Sequence, residues 1–251
     1  MNVFAVEGLP EFEPGDDIAA QIAEQVTLQP GDVVCVASTI VSKAAGRQAE
    51  LSDFEAGEQA REIADQVGEL AGEEKDPRFA QAVIEESEEL LLEFPIMLAV
   101  TQFGHITVNA GIDRSNVPDA DLLLLPEDPT AHAEGLHDEL GVPVIVTDTS
   151  GRPFRHGQRG VAIGWAGMPA ARDWRGEYDR NGKELEATVQ AVVDELAAAA
   201  NLVTGEGGGG TPVAVVRDWD FGEFAGSDDL FRAEDDDLIR PALREYSHAG
   251  N

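Results

Sequence analysis

Residues 202–216 read LVTGEGGGGTPVAVV, and every position from 205 to 210 is glycine except Glu206. The letters satisfy G-x-G-x-x-G, the pattern of a dinucleotide fingerprint. The flanking segments exclude that reading. A dinucleotide fold needs strand, glycines, then helix, so that the pyrophosphate meets a helix N-terminus. Here a long amphipathic stretch precedes the glycines and the apolar run TPVAVV follows them, so the order is helix, glycines, strand. A Walker-type phosphate loop ends in G-K-[ST], which appears nowhere in the chain. Two readings remain. The run is a flexible connector, or it is a loop whose backbone N–H groups approach an anion where any Cβ would obstruct. Glu206 tilts the balance toward a site with a metal, because an acid inside an anion-binding loop needs a cation to neutralise it.

Around this run, short apolar segments alternate with helical ones. GDDIAAQIAEQV places Ile18, Ile22 and Val26 on one helical face behind acidic cap residues. VVCVAS (33–38) reads as a buried strand. Ser52 and Asp53 are cap candidates for a helix striped by Phe54, Ile63, Val67 and Leu70. Residues 76–91 read as another helix, 96–112 as a hairpin around Phe103-Gly104, and 121–125 as a short strand. Residues 128–141 carry an Asp cap, Pro at the first helical position and Gly after the end. Residues 142–148, 160–167 and 211–216 read as strands, with a long helix over 183–203 and a last one near 228–245. The expected fold class is α/β or α+β with mixed sheets, neither P-loop nor Rossmann. The chain reads as a single unit over 1–251; a split into two subdomains, near 80–90 or near 210, is not assignable from sequence.

Charge narrows the setting. Forty-nine acidic residues face 17 basic ones, a net charge of −32, and the only lysines are Lys43, Lys75 and Lys183. Such self-repulsion opposes a compact state unless it is screened. At molar salt the Debye length falls to about 3 Å and the repulsion largely disappears. The acid is spread along the chain and not gathered in a tail, so a salt-rich cytoplasm is expected; the alternative is an acidic partner-binding face. Nucleic acid and anionic membranes are excluded as partners on this charge. The single cysteine, Cys35, lies in an apolar run, so it is expected in the core, and no intrachain disulfide is available. No apolar stretch approaches the ~18 residues of a membrane span.

Oxygen donors cluster where strands end. NAGIDRSNVP supplies Asn109, Asp113, Ser115 and Asn116; VTDTSGRPFR supplies Asp148, Thr149 and Ser150, then Arg152 and Arg155. Carboxylates with hydroxyls and amides suit a hard cation such as Mg²⁺ or Mn²⁺, and arginines beside them suit phosphate or carboxylate. The alternative for Asp113 and Asp148 is local turn capping. Lys43 stands alone in an uncharged segment and is a phosphate-contact candidate, or a solvated surface lysine. The five histidines show no metal-ligand spacing.

The segments EGLPE, ASTIVSKAAGR, VIEESEELL, VNAGIDRSNVP, VTDTSGRPFRHGQRGVAIGWAG and ELEATVQAVVDELAAAANLVTGEGGGGTPVAVVR resemble, in this order, the γ-glutamyl ligase family of coenzyme F420 biosynthesis. The resemblance runs from about residue 6 to 245, and the composition looks like that of a haloarchaeal member. It implies a family-specific α/β fold, a homodimer, and GTP-dependent amide formation that adds one or more L-glutamates, γ-linked, to the deazaflavin precursor F420-0. It implies two divalent ions per site, Mg²⁺ or Mn²⁺, aided by K⁺. Carried over residue by residue, it assigns Leu9, Pro10, Glu11 and Phe12, with Ser38, Thr39, Lys43 and Asn116, to the nucleotide. Glu206, Gly207, Gly208, Gly209, Gly210, Thr211, Pro212 and Val213 would form the loop around that nucleotide. Asp113 and Asp148 would share one metal; Thr149 and Glu206 would hold a second. Arg152 and Arg155 are candidates for the acid substrate, with no motif to place its pocket. The other readings are a related ligase acting on another acid and a nucleotide- and metal-binding protein without turnover.

Overall fold

The apolar runs and amphipathic stretches fold into interleaved helices and sheets, the mixed α/β architecture expected. The computed structural model describes residues 1–115, 117 and 119–249, the side chains of 246–249 excepted. In chain order the strands are β1 (Asn2–Ala5), β2 (Val33–Ala37), β3 (Gln48–Ala49), β4 (Ser87–Leu92), β5 (Leu98–Thr101), β6 (Ile106–Val108) and β7 (Leu122–Leu123). They continue with β8 (Val144–Arg152), β9 (Arg155–Ala166), β10 (Ala171–Asp173), β11 (Val189–Ala191), β12 (Val213–Arg217) and β13 (Ala225–Ser227). The helices are α1 (Ile18–Gln25), α2 (Ser38–Ala44), α3 (Glu58–Ala71), α4 (Pro77–Glu85), α5 (Pro129–Leu140), α6 (Val192–Thr204) and α7 (Arg240–Ala249). None of the described helices is long and apolar enough to cross a membrane. Two compact units result. One holds 1–44, 128–149 and 156–230, the other 45–127, 150–155 and 231–251, so no single cut in the sequence separates them.

The first unit is built on a five-stranded sheet in the order β1-β12-β2-β8-β9. β12 runs antiparallel to both β1 and β2, whereas β2 and β8 are parallel. β2, β12 and the first half of β8 are buried, which is why they read as unbroken apolar runs and not as alternating strands. Val193, Leu196, Ala197 and Ala200 of α6 pack with Cys35, Ile145, Ala162 and Ala214. Helix and strand approach closely at Gly160, where a Cβ would lie 2.4 Å from the Ala197 carbonyl oxygen. α5 begins as the sequence predicts: the Asp128 carboxylate accepts from Ala131 N at 2.9 Å, Pro129 opens the helix, and Gly141 closes it at φ +70°. Cys35 is buried, and burial pushes its thiol up to about 12.

The long helix expected over 183–203 is shorter. α6 starts at Val192, and residues 189–191 instead form β11, antiparallel to β10. Val189 is exposed, so a helix through 183–191 would bury little apolar surface there, and strand pairing with β10 prevails.

The second unit packs α3 and α4 over the sheets β4-β5-β6 and β3-β7. Its core joins Phe54, Ile63, Val83, Met97, Ala99, Leu122 and Leu124. The hairpin of 96–112 forms as β5 and β6, turning through Gly104 at φ +87°. Three expectations are corrected. The helix expected to run to residue 91 ends at Glu85, because residues 87–92 find a backbone partner in β5, while the Glu89 carboxylate takes the Arg244 guanidinium at 2.5 and 2.6 Å. Ser52 and Asp53 lie in a separate 3-10 turn; α3 starts after Gly57, and Leu70 at its end is 63% exposed. The last helix spans 240–249, not 228–245; the earlier part holds a separate 3-10 turn at 234–236 instead.

Candidate functional site

Strand register brings distant residues together at one end of the five-stranded sheet. β2 and β8 run parallel with Ala37 opposite Thr147, so their next residues, Ser38 and Asp148, emerge side by side. Ser38 Oγ donates to Asp148 Oδ1 at 3.3 Å. β12 runs the other way, so its entry lies at the same end; Ala37 N donates to the Pro212 carbonyl at 2.8 Å. β1 leaves there too, with Val6 N bonded to the Val213 carbonyl at 2.8 Å, and leads into Leu9–Phe12. Carboxyl ends of strands at a switch in strand order are where sheet proteins commonly bind ligands.

The glycine run connects α6 to β12 at this end. Gly205 closes α6 at φ 71°, ψ −177°, a region essentially reserved for glycine, and Gly210 leaves the loop at φ +65°. Between them the reason for glycine is different. A Cβ on Gly207 or Gly208 would meet no atom of the described residues within 4 Å, so the packing of those residues does not demand their bareness. The loop is tied at its ends: Gly209 N bonds the Gly207 carbonyl at 2.8 Å and Thr211 Oγ1 the Thr204 carbonyl at 3.3 Å. Glu206 is held from two directions. Asn201 Nδ2 donates to Glu206 Oε1 at 2.8 Å, and Thr149 Oγ1 donates to the same oxygen at 3.4 Å.

Lys43 is not a solvated surface lysine. It lies in the last turn of α2 with its side chain 9% exposed, paired with the carboxylate of Glu11, which is itself largely exposed. Burying an ammonium is costly without anionic company, so this corner is built for negative charge. Phe12 is buried beside Glu11 in sequence and anchors that segment.

The residues expected to hold nucleotide and metal thus fall into two groups. Leu9–Phe12, Ser38, Thr39, Lys43, Asp148, Thr149 and Glu206–Val213 all belong to the first unit, and the contacts above link its strand ends, Glu11 with Lys43, and Thr149 with Glu206. Asp113 belongs to the second unit, where its carboxylate caps a turn, accepting from Ser115 N and Ser115 Oγ at 2.7 Å each. Asn116 lies outside the described residues. Arg152 and Arg155 are exposed on either side of the turn between β8 and β9. Among the described residues no three His, Cys, Asp or Glu side chains converge. The donors at the strand ends are all oxygens, from Asp148, Thr149 and Glu206. That set fits a hard cation sharing its coordination with phosphate and water, and does not fit zinc. His105 is buried in the second unit against Phe103 and Phe231, and His137 bonds the Val142 carbonyl at 2.8 Å; both are structural. Asn201 went unnoticed in the sequence, since one amide near a helix end carries no motif.

The model of the family described as F420-0:Gamma-glutamyl ligase matches residues 8–218. The coenzyme F420:L-glutamate ligase of Natronomonas pharaonis is 66% identical over 251 residues, covering 100% of this chain and 99% of that protein. The protein of the same name from Haloarcula marismortui is 68% identical over 254 residues, covering 99% of both chains. That of Archaeoglobus fulgidus is 47% identical over 250 residues, covering 97% of this chain and 98% of that one.

Proposed function

Because the chain belongs to the F420-0:gamma-glutamyl ligase family, we propose that it joins L-glutamate to F420-0 in coenzyme F420 biosynthesis, at the expense of GTP. The observation that carries this reading is the meeting of Ser38, Asp148, the Lys43–Glu11 pair and the glycine loop at one end of one sheet.

A carboxylate is a poor electrophile and must be activated. In the proposed reaction the γ-phosphoryl group passes from GTP to a carboxylate oxygen of F420-0, giving an acyl phosphate and GDP. The glutamate amine then attacks the acyl carbon, phosphate leaves, and the amine proton passes to solvent. Phosphoryl transfer of this kind depends on positioning and charge stabilisation more than on covalent help from the protein. Lys43 and the bare backbone at Gly207 and Gly208 would hold phosphate oxygens. Asp148, Thr149 and Glu206 would hold Mg²⁺ or Mn²⁺; Asp113 enters this reading only through the family resemblance. Bound there, the cation neutralises phosphate charge. A second divalent ion, assistance by K⁺, homodimeric assembly and a salt-rich cytoplasm belong to the same reading, the last supported by the charge of −32. No side chain becomes phosphorylated.

The test is a mass-spectrometric assay in molar KCl with Mn²⁺, GTP, L-glutamate and F420-0, omitting each component in turn. Products heavier by glutamyl units, with matching GDP, are expected. GTP binding without product from F420-0, but with product from another carboxylic acid, would replace the substrate. Binding without turnover of any acid would overturn the ligase reading for this chain.

A further inference from the structure

Lys43 is the one buried lysine of the three, and among the described residues its ammonium has a single partner, the carboxylate of Glu11. The pair is lopsided: the Lys43 side chain is 9% exposed and that of Glu11 is 69% exposed. Glu11 in turn makes no other hydrogen bond or ion pair among the described residues. The backbone that carries it is fixed. Phe12 beside it is buried, and Gly15 N donates to the carbonyl of Ala44, the residue after Lys43, at 2.8 Å. The carboxylate therefore reaches Lys43 from an anchored base through a side chain that is mostly in water. All of these residues belong to the first unit.

The two partners do not need each other equally. An exposed carboxylate loses little when it turns back to water. A buried ammonium left without an anion is costly. Lys43 thus requires an anion, and Glu11 is free to yield to a stronger one. A phosphate group is stronger, with more negative charge and several acceptor oxygens on one centre. It does not share the ammonium comfortably with Glu11, because the two anions repel each other.

We propose that Glu11 is a stand-in anion, competing with phosphate for Lys43, and so sets how tightly this corner holds a phosphate group. The inference rests on the ligase reading given above, in which phosphate arrives on GTP and leaves as product. A nucleotide is also held by the glycine loop and the cation, so it displaces Glu11. Inorganic phosphate has fewer contacts, and Glu11, tethered beside Lys43 at high effective concentration, displaces it in turn. Glu11 thereby limits inhibition by the phosphate that the reaction releases.

The test compares wild type, Glu11→Gln, Lys43→Met and the double variant, as full-length protein in molar KCl. In isothermal titration with potassium phosphate, Glu11→Gln is expected to bind about three- to tenfold more tightly than wild type. The gain should vanish on the Lys43→Met background, since Glu11 acts through that ammonium. Affinity for GDP with Mn²⁺ should rise in the same sense. Without phosphate the thermal midpoint of Glu11→Gln should fall by about 2–4 °C, and phosphate should restore it. In the glutamylation assay, phosphate should inhibit Glu11→Gln against GTP at about three- to tenfold lower concentration than wild type. A lowered midpoint with unchanged phosphate affinity would make the pair structural and overturn the proposal. Weaker binding of GDP would overturn it too, and make Glu11 itself a contact of the nucleotide or its metal. So would a gain that survives Lys43→Met, which would assign the effect to net charge alone. Should Glu11→Gln fail to fold, Glu11→Asp, whose carboxylate is one methylene shorter in reach, should show a smaller gain in the same direction; no gain there would refute the competition. Wild type that does not glutamylate F420-0 would sink the ligase reading, while the phosphate titrations would still decide the role of Glu11.

Discussion

Asn201 Nδ2 lies 2.8 Å from Glu206 Oε1, so the last turn of α6 holds the one carboxylate of the glycine loop. Without that bond, Glu206 sits on a segment whose neighbours are all glycine and has Thr149 alone to orient it, at 3.4 Å. Partners that orient a metal ligand are commonly worth about 10–100-fold in affinity. Asn201→Ala is therefore expected to weaken Mn²⁺ binding in the presence of GDP about tenfold, read by electron paramagnetic resonance titration. The thermal midpoint should hardly move. Unchanged Mn²⁺ affinity would make the bond incidental.

Asp148 stands at the end of the buried part of β8 and is half exposed. Asp148→Ala should lower turnover about a hundredfold or more with little unfolding, because it removes charge from the site and leaves the core intact. Circular dichroism melts beside the glutamylation assay separate the two effects. Wild-type-like activity in this variant would remove Asp148 from the metal assignment.

With a net charge of −32, the folded chain repels itself over distances that only salt can shorten. The Debye length falls from about 10 Å at 0.1 M to about 3 Å at 1 M. The thermal midpoint is expected to climb steeply as KCl rises from 0.1 M into the molar range. An equal midpoint at both ends would mean that screening is not what holds the chain together.

His105 is 8% exposed, its Nε2 has no hydrogen-bond partner among the described residues, and burial pushes its imidazole down to about 4. The unfolded chain therefore takes up this proton near pH 6.5 and the folded chain only near pH 4, so the unfolded state binds more protons between them. Stability from this group is fully present above about pH 6.5 and falls as pH drops through the window, by roughly 3 kcal/mol in all. Chemical denaturation of wild type and His105→Phe at pH 7 and pH 4.5 checks this. The variant should lose less stability on acidification; equal losses would refute it.

Much of the fold is legible in the chain because its signals are local. Asp128, Pro129 and Gly141 mark the ends of α5, and the turn residue Gly104 marks the hairpin, each through its own backbone preference. VVCVA reads as a central strand because it is buried in a sheet that covers it. Segment 87–92 reads as helix because Glu and Leu favour helix, and it becomes a strand because β5 offers it a ladder. Residues 183–191 fail as helix for a related reason: Val189 stays exposed, and 189–191 find a ladder in β10.

The same division runs through the candidate site. The sequence by itself determined the residue types: an oxygen-rich donor set, a glycine run with one acid, a lone lysine and an acidic surplus that requires screening. Those are properties of composition and neighbouring positions. The tertiary structure decided which of them meet. Ser38 and Asp148 stand 110 positions apart and touch only because β2 and β8 pair in parallel with Ala37 opposite Thr147. The burial of Lys43 and the hold of Asn201 and Thr149 on Glu206 are decided the same way. A hydrogen-bond partner is chosen by strand register and helix placement, and both depend on the packing of the whole sheet.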